Sequence, residues 1–362
     1  MRTLSSASVA AAALVLAACS ASSTTSGTSG TSGTSNPGGA ASSSSLKPGI
    51  VTDIGGIGDR GFNDLAATGL KDAEGQLRIT GRVLVPQTPA DYSSNLNQLA
   101  QAGAQPVFGI GFTFFDAITA AAKQFPKTHF AIVDSVVDAP NVSSLVFREE
   151  EGSYLAGVAA GLMTQQATDY TKAGDKVVGF IGGQQAPLIE KFGAGYKQGV
   201  LSVCPDCTVL YQYVGTTTQA FSDPGTAAEI ARNMHAKGAD VIYHAAGASG
   251  DGLFKVATEE KFFAIGVNTD QAQTVPTAPI LTSMLKRVDT AVTNTIIAES
   301  KGQFKAGPQS FGLADNGVGL SPFGRFDSVV PASVKTAIDG AKAKIVKGQT
   351  KVATTLAAVG GQ

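Results

Sequence analysis

The chain has no tryptophan, three histidines, three cysteines and only 15% charged residues among its 362. Three cysteines cannot build a disulfide scaffold, and three scattered histidines cannot supply a multi-metal centre. Lysine and arginine (27) nearly cancel aspartate and glutamate (28), leaving a formal net charge of −1. Without a basic excess, the chain is not expected to bind nucleic acid or to adhere to a membrane surface by charge. No Gly-x-x-x-x-Gly-Lys-[Ser/Thr] stretch is present, so a phosphate-binding P-loop is excluded. Gly-x-Ser-x-Gly and His-Glu-x-x-His are missing too, which removes the common hydrolase signatures. His129, His235 and His244 stand at strand or helix ends, where a lone histidine is more often structural. No cofactor is expected.

What is present is 43% hydrophobic residues, 43 glycines and 18 phenylalanines, enough for a large core. The start of the chain differs from the rest. Met1 and Arg2 precede an apolar run from Val9 to Ala18, too short to span a bilayer comfortably, and then Cys19. Residues 1–18 therefore read as a secretory signal peptide. Leu16-Ala17-Ala18-Cys19 resembles a bacterial lipobox, which makes Cys19 the expected lipidation residue; an ordinary signal peptide containing a cysteine is the alternative. Residues 20–45 are almost wholly Ser, Thr, Gly and Ala. Such a segment cannot bury enough apolar surface to offset its ordering entropy, so residues 19–45 read as a lipidated cysteine followed by a flexible tether with a reach on the order of 30 Å. The expected location is the extracytoplasmic face of the cell membrane, held there by the N-terminal lipid. Outside the cytoplasm, Cys204-Pro-Asp-Cys207 is expected to form a small disulfide rather than a metal or redox site.

From residue 46 onward, short apolar runs alternate with amphipathic stretches. Runs at 49–53, 82–85, 106–110, 129–133 and 144–147 read as strands, with helices at 62–74, 92–102, 115–125 and 151–163. The pattern restarts with strands at 176–181, 208–213, 240–243, 262–266 and 280–282, followed by helices at 286–300 and 334–347. Continuous apolar strands that alternate with helices imply parallel sheets covered on both faces. The expected fold class is α/β: two doubly wound parallel-sheet lobes with an interlobe cleft. The N-terminal lobe is placed at 46–160 plus about 287–315, and the C-terminal lobe at 161–286 plus about 316–362.

Ligands in open α/β sheets meet the carboxyl ends of strands. The loop Asp53-Ile-Gly-Gly-Ile-Gly-Asp59-Arg-Gly-Phe62-Asn63 stands there. Its glycines fall out of register for a dinucleotide motif. Phe62 offers a stacking face, while Asp53 and Asn63 offer hydrogen bonds to a ring edge. A purely structural reading fits the same residues, with Phe62 as a staple, Asn63 as an N-cap and Asp53 as a turn former. Glu149-Glu150-Glu151 reads as the acidic start of a helix, favoured by the macrodipole.

Asp53-x-Gly-Gly-x-x-Asp59-x-x-Phe62-Asn63 resembles the signature of the basic membrane lipoprotein family, whose best-known members are PnrA-like purine nucleoside receptors. Colinear matches follow, among them Phe130-Ala-Ile-Val-Asp134, Glu150-Glu-Gly-Ser-Tyr-Leu-Ala-Gly157, Pro187-x-Ile-x-x-Phe192, Ala246-Gly247, Ile265-Gly-Val-Asn-Thr-Asp-Gln271 and Leu281-Thr-Ser-Met-Leu-Lys286. The resemblance covers about residues 49–300. It implies a class I periplasmic-binding-protein fold and a non-enzymatic solute receptor that feeds an ABC permease and its ATPase. It further implies that Phe62 and Phe192 sandwich a purine, that Asp53, Asn63 and Asp134 read the base, and that the 268–270 segment and Lys286 hold the ribose. Gly247 would let the backbone approach the ligand closely. The family usually has an acidic residue where this chain has Asn268, so either the ribose is held more weakly, or Asp270 substitutes, or the ligand is another solute, such as a sugar or a modified nucleoside. A secreted hydrolase and a surface adhesin or antigen without transport are the further alternatives.

Overall fold

The computed structural model describes residues 46–359, so the expected signal peptide, Cys19 and the Ser/Thr/Gly tether lie outside the described residues. Apolar runs of three to eight residues form the strands. β1 (Gly49–Val51), α1 (Phe62–Leu77), β2 (Arg82–Leu84), α2 (Asp91–Gln101), β3 (Val107–Gly109), α3 (Phe115–Gln124), β4 (Phe130–Val133) and β5 (Val142–Phe147) make the first series. After α4 (Glu149–Met163) come β6 (Val177–Gln184), α5 (Pro187–Val203), β7 (Thr208–Gly215), α6 (Pro224–Ala236), β8 (Ala239–Ala245), α7 (Gly250–Glu260), β9 (Phe263–Asn268), the short α8 (Gln271–Thr274) and β10 (Ile280–Lys286). The chain finishes with α9 (Val288–Ser300), β11 (Gly307–Phe311), β12 (Val318–Leu320), α10 (Ala332–Val346) and α11 (Leu356–Val359).

Two six-stranded sheets result, in the orders β11-β5-β4-β3-β1-β2 and β12-β10-β9-β8-β6-β7. The recorded strand pairs are parallel except that of β10 with β12, which is antiparallel. The α/β class of the sequence pattern is therefore the fold, and the two sheets repeat one order. Every residue of β4, β8 and β9 is buried, which is why these strands read as unbroken apolar runs.

Three details depart from the sequence pattern. The boundary placed near residue 160 falls inside α4, yet this helix packs on α5, α10, β10 and β12. The first crossing between the sheets therefore lies at Arg148–Glu149. Lys286, placed at a helix start, is instead the last residue of β10. β11 is half-exposed and partly polar, and β12 is only three residues long, so neither carries an apolar run long enough to be read.

α4 and α5 pack closely because glycines face the opposing backbone. A Cβ at Gly157 would stand 2.1 Å from the Tyr196 carbonyl oxygen, one at Gly199 2.1 Å from that of Tyr154, and one at Gly195 2.2 Å from that of Glu150. Gly157-x-x-x-Gly161 and Gly195-x-x-x-Gly199 place these residues on one face of each helix. Gly199→Ala is expected to cost about 1–3 kcal/mol or more, because the helices must separate. Gly340→Ala, on the open face of α10 with nothing within 4 Å of the new Cβ, is expected to gain about 0.5–1 kcal/mol. Denaturant unfolding of both variants checks the contrast.

Candidate functional site

The carboxyl ends of the strands of both sheets converge on a cleft with about 720 Å³ of space free of atoms, part of it open to solvent. β1 delivers Asp53 to it. One oxygen of this carboxylate, Oδ1, accepts hydrogen bonds from the Gly55 backbone N–H (2.8 Å) and from Asn63 Nδ2 (2.7 Å). Asn63 Oδ1 accepts the Asp53 backbone N–H in return (3.1 Å). Asp59 anchors the start of α1: its Oδ1 accepts the N–H groups of Gly61 and Asp64, and its Oδ2 accepts the N–H of Asn63 and a second hydrogen from Asn63 Nδ2 (3.1 Å). Burial raises Asp53 from its usual 3.8 to about 6, against the hydrogen bonds of Asn63 and Gly55 and with help from the charges of Asp59 and Asp134.

Lys286 ends β10 with its side chain 1% exposed. Its ammonium lies 2.6 Å from Asp134, which follows β4, and 3.0 Å from Glu149, which opens α4. Three phenyl rings surround it, with centroids at 5.2 Å (Phe62), 5.0 Å (Phe147) and 5.5 Å (Phe192). Burial works against the Lys286 charge, but the two carboxylates outweigh it and raise its pKa. Burial likewise pushes Asp134 up against the pull of Lys286. Glu149 is fully buried and also reaches Lys191 at 3.5 Å.

The shared sheet order makes the cleft near-symmetric. Asp134 and Asn268 occupy matching places, after β4 and at the end of β9, and both adopt φ 70°. Asp and Asn tolerate this left-handed conformation better than most side chains. Gly111 and Gly247 match likewise after β3 and β8, both at positive φ. Across the mouth, Phe112 meets Phe221 edge to face at 6.4 Å, and Arg60 meets Asp251 at 3.4 Å.

Asp53, Phe62, Asn63, Asp134, Phe192, Gly247, Asn268 and Lys286 all line the cleft. Asp270 does not: the left-handed turn at Asn268 carries the chain away, and Asp270 stands at the N-terminus of α8, accepting from Gln273 at 3.3 Å. Asn63 lines the cleft but has its polar atoms engaged inside the protein, with both amide hydrogens on carboxylates. Sequence reasoning overlooked Glu149, whose first-turn position concealed a buried ion pair; three glutamates opening an otherwise apolar helix were the available signal. Cys204 and Cys207 are joined by a disulfide in the turn between α5 and β7. Among the described residues, no His/Cys/Asp/Glu group could hold a metal ion, and no helix is long and apolar enough to cross a membrane.

Residues 47–354 match the family model described as ABC transporter substrate-binding protein PnrA-like. The chain is 37% identical to the ABC transporter nucleoside-binding protein BmpA of Lactococcus lactis subsp. cremoris, over 85% of this chain and 89% of that one. It is 35% identical to the CD4+ T-cell-stimulating antigen of Listeria monocytogenes, over 86% and 89%. A crystal structure of ABC transporter solute-binding proteins from Aeropyrum pernix K1 superposes with a TM-score of 0.76 at 26% identity, covering 85% of this chain and 93% of that one.

Lys286→Met would leave Asp134 buried without its cation and Glu149 with only Lys191 at 3.5 Å. Breaking such a set from one side is expected to cost about 3–5 kcal/mol in equilibrium unfolding. Asp53 binds its proton more tightly in the folded than in the unfolded chain, so its contribution favours folding at acid pH and is lost as pH rises from its usual value to about 6. The stability of Asp53→Asn relative to the parent should therefore grow across that window and level off above it, measured by unfolding at pH 4, 5, 6 and 7.

Proposed function

Because the chain belongs to the PnrA-like family of ABC transporter substrate-binding proteins, we propose that it is the lipid-anchored receptor of an importer and binds a purine nucleoside between Phe62 and Phe192. Family membership makes it a binding protein rather than an enzyme and sets aside the hydrolase alternative. One observation carries the ligand reading. Phe62 at the start of α1 and Phe192 in α5 come from opposite sides of the cleft, and both face the Lys286 ammonium, with the Asp53 carboxylate lining the same space. Two apolar faces with polar groups at the rim suit a flat heteroaromatic ring carrying a hydroxylated substituent. The nucleoside-binding relative in Lactococcus lactis supports the same choice.

In this reading Asp53 accepts hydrogen bonds from the base, and Lys286 and Asp134 meet the sugar at the floor of the cleft. Binding is hinge closure: a ligand that touches both sides favours the closed arrangement and needs no covalent step. The loaded receptor then docks on a permease driven by an ATPase. A second reading keeps the fold and changes the solute. Asn268 presents one carbonyl acceptor and an amide donor where a carboxylate would accept from both hydroxyls of a vicinal diol. A deoxy-sugar derivative or another sugar would fit that amide.

Residues 46–362, freed of copurified ligand, should gain melting temperature with a purine nucleoside, and Phe62→Ala should abolish the gain. No shift with any purine nucleoside would overturn the substrate, and mass spectrometry of the ligand carried by the protein as isolated would identify the rival solute. For the anchor, labelled palmitate should enter the full chain and fail to enter Cys19→Ala.

A further inference from the structure

Asp59, which also lines the cleft, accepts four hydrogen bonds from the loop and the start of α1. Its side chain is 7% exposed, and each of its oxygens accepts two N–H groups at 2.8–3.1 Å. Two of the four donors belong to Asn63, whose other amide hydrogen is given to Asp53 Oδ1. That oxygen also accepts the Gly55 N–H. Both oxygens of Asp59 and Oδ1 of Asp53 are therefore saturated within the loop, and Asn63 cannot turn its carbonyl outward without losing three hydrogen bonds.

We propose that Asp59 is a positioning residue that sets the ligand specificity of the cleft: through Asn63 it fixes the rotamer of Asp53, so that Oδ2 of Asp53 is offered as an acceptor and selects a base edge that brings an N–H donor. This rests on the purine nucleoside reading above. Asn63 is then a strut between two carboxylates rather than a reader of the base. A carboxylate held by fixed N–H groups accepts a further donor without paying again for its own ordering. Offered to a ring nitrogen that carries no hydrogen, the same oxygen would face a lone pair with nothing between. The N1 atom of a 6-oxopurine carries a hydrogen, and the N1 atom of unsubstituted purine riboside does not. These two nucleosides share the same skeleton and differ at N1 and at O6, so the change in their affinity ratio between parent and variants, rather than the ratio alone, reports the contact of Asp53 with the N1 hydrogen.

The test measures the dissociation constants of inosine and of purine riboside by calorimetry, with the protein stripped of ligand, in the parent, Asp59→Asn and Asn63→Ala. The parent should prefer inosine by about tenfold or more, the scale of one hydrogen bond to a charged acceptor. Asp59→Asn keeps an acceptor for the helix start but turns an amide donor toward the donors of Asn63. Its preference for inosine should fall at least fivefold, and Asn63→Ala should show the same fall by removing the strut. A general loss of structure would weaken both ligands alike and leave the ratio standing. An unchanged ratio in both variants, or equal loss of both ligands, overturns the proposal. A parent that binds both nucleosides equally also overturns it while leaving the purine reading intact, and a parent that binds neither overturns the purine reading and this inference with it.

Discussion

A single buried ammonium ties the structure together. Lys286 ends a strand of the second sheet, Asp134 follows a strand of the first, and Glu149 opens the helix after the first crossing. Their contact at 2.6 and 3.0 Å joins three parts of the fold at the floor of the cleft. Charges this deeply buried are tolerated because each is paired, and an unpaired survivor would be costly. The same ammonium lies over Phe62, Phe147 and Phe192, so the ion pair also places the aromatic walls.

The cleft departs from its own symmetry where chemistry is concentrated. Matching strands end in Asp134 and Asn268 with the same left-handed backbone, and matching loops begin with Gly111 and Gly247. Asp134 is consumed by Lys286, whereas Asn268 is neutral, and the charge of the cleft lies mainly on the side of the first sheet. Asp53 shares that side, and burial there raises its pKa to about 6.

The strands and helices were legible because their apolar periodicity is strong. β8 and β9 are buried along their whole length, and α2 shows its buried Leu96, Leu99 and Ala100 at helical spacing. β11 and β12 were not legible: both lie at sheet edges, β11 is half-exposed and partly polar, and β12 has only three residues. The placement of α4 was lost for another reason. Its glycines read as ordinary helix residues in the sequence; the facing residues of α5 exclude side chains at Gly157 and Gly161, and Met284 of β10 with Val318 of β12 crowd Gly152.

Sequence alone determined the α/β alternation, the loop that follows β1 and the family to which the chain belongs, because local periodicity and short motifs are written in neighbouring residues. Tertiary structure decided the rest. It withdrew Asp270 from the cleft, turned Asn63 inward, and made Glu149 the partner of a lysine 137 positions away. Those outcomes depend on which strand ends meet across the two sheets and on which polar groups can satisfy one another away from water, and neither is encoded at a distance of a few residues.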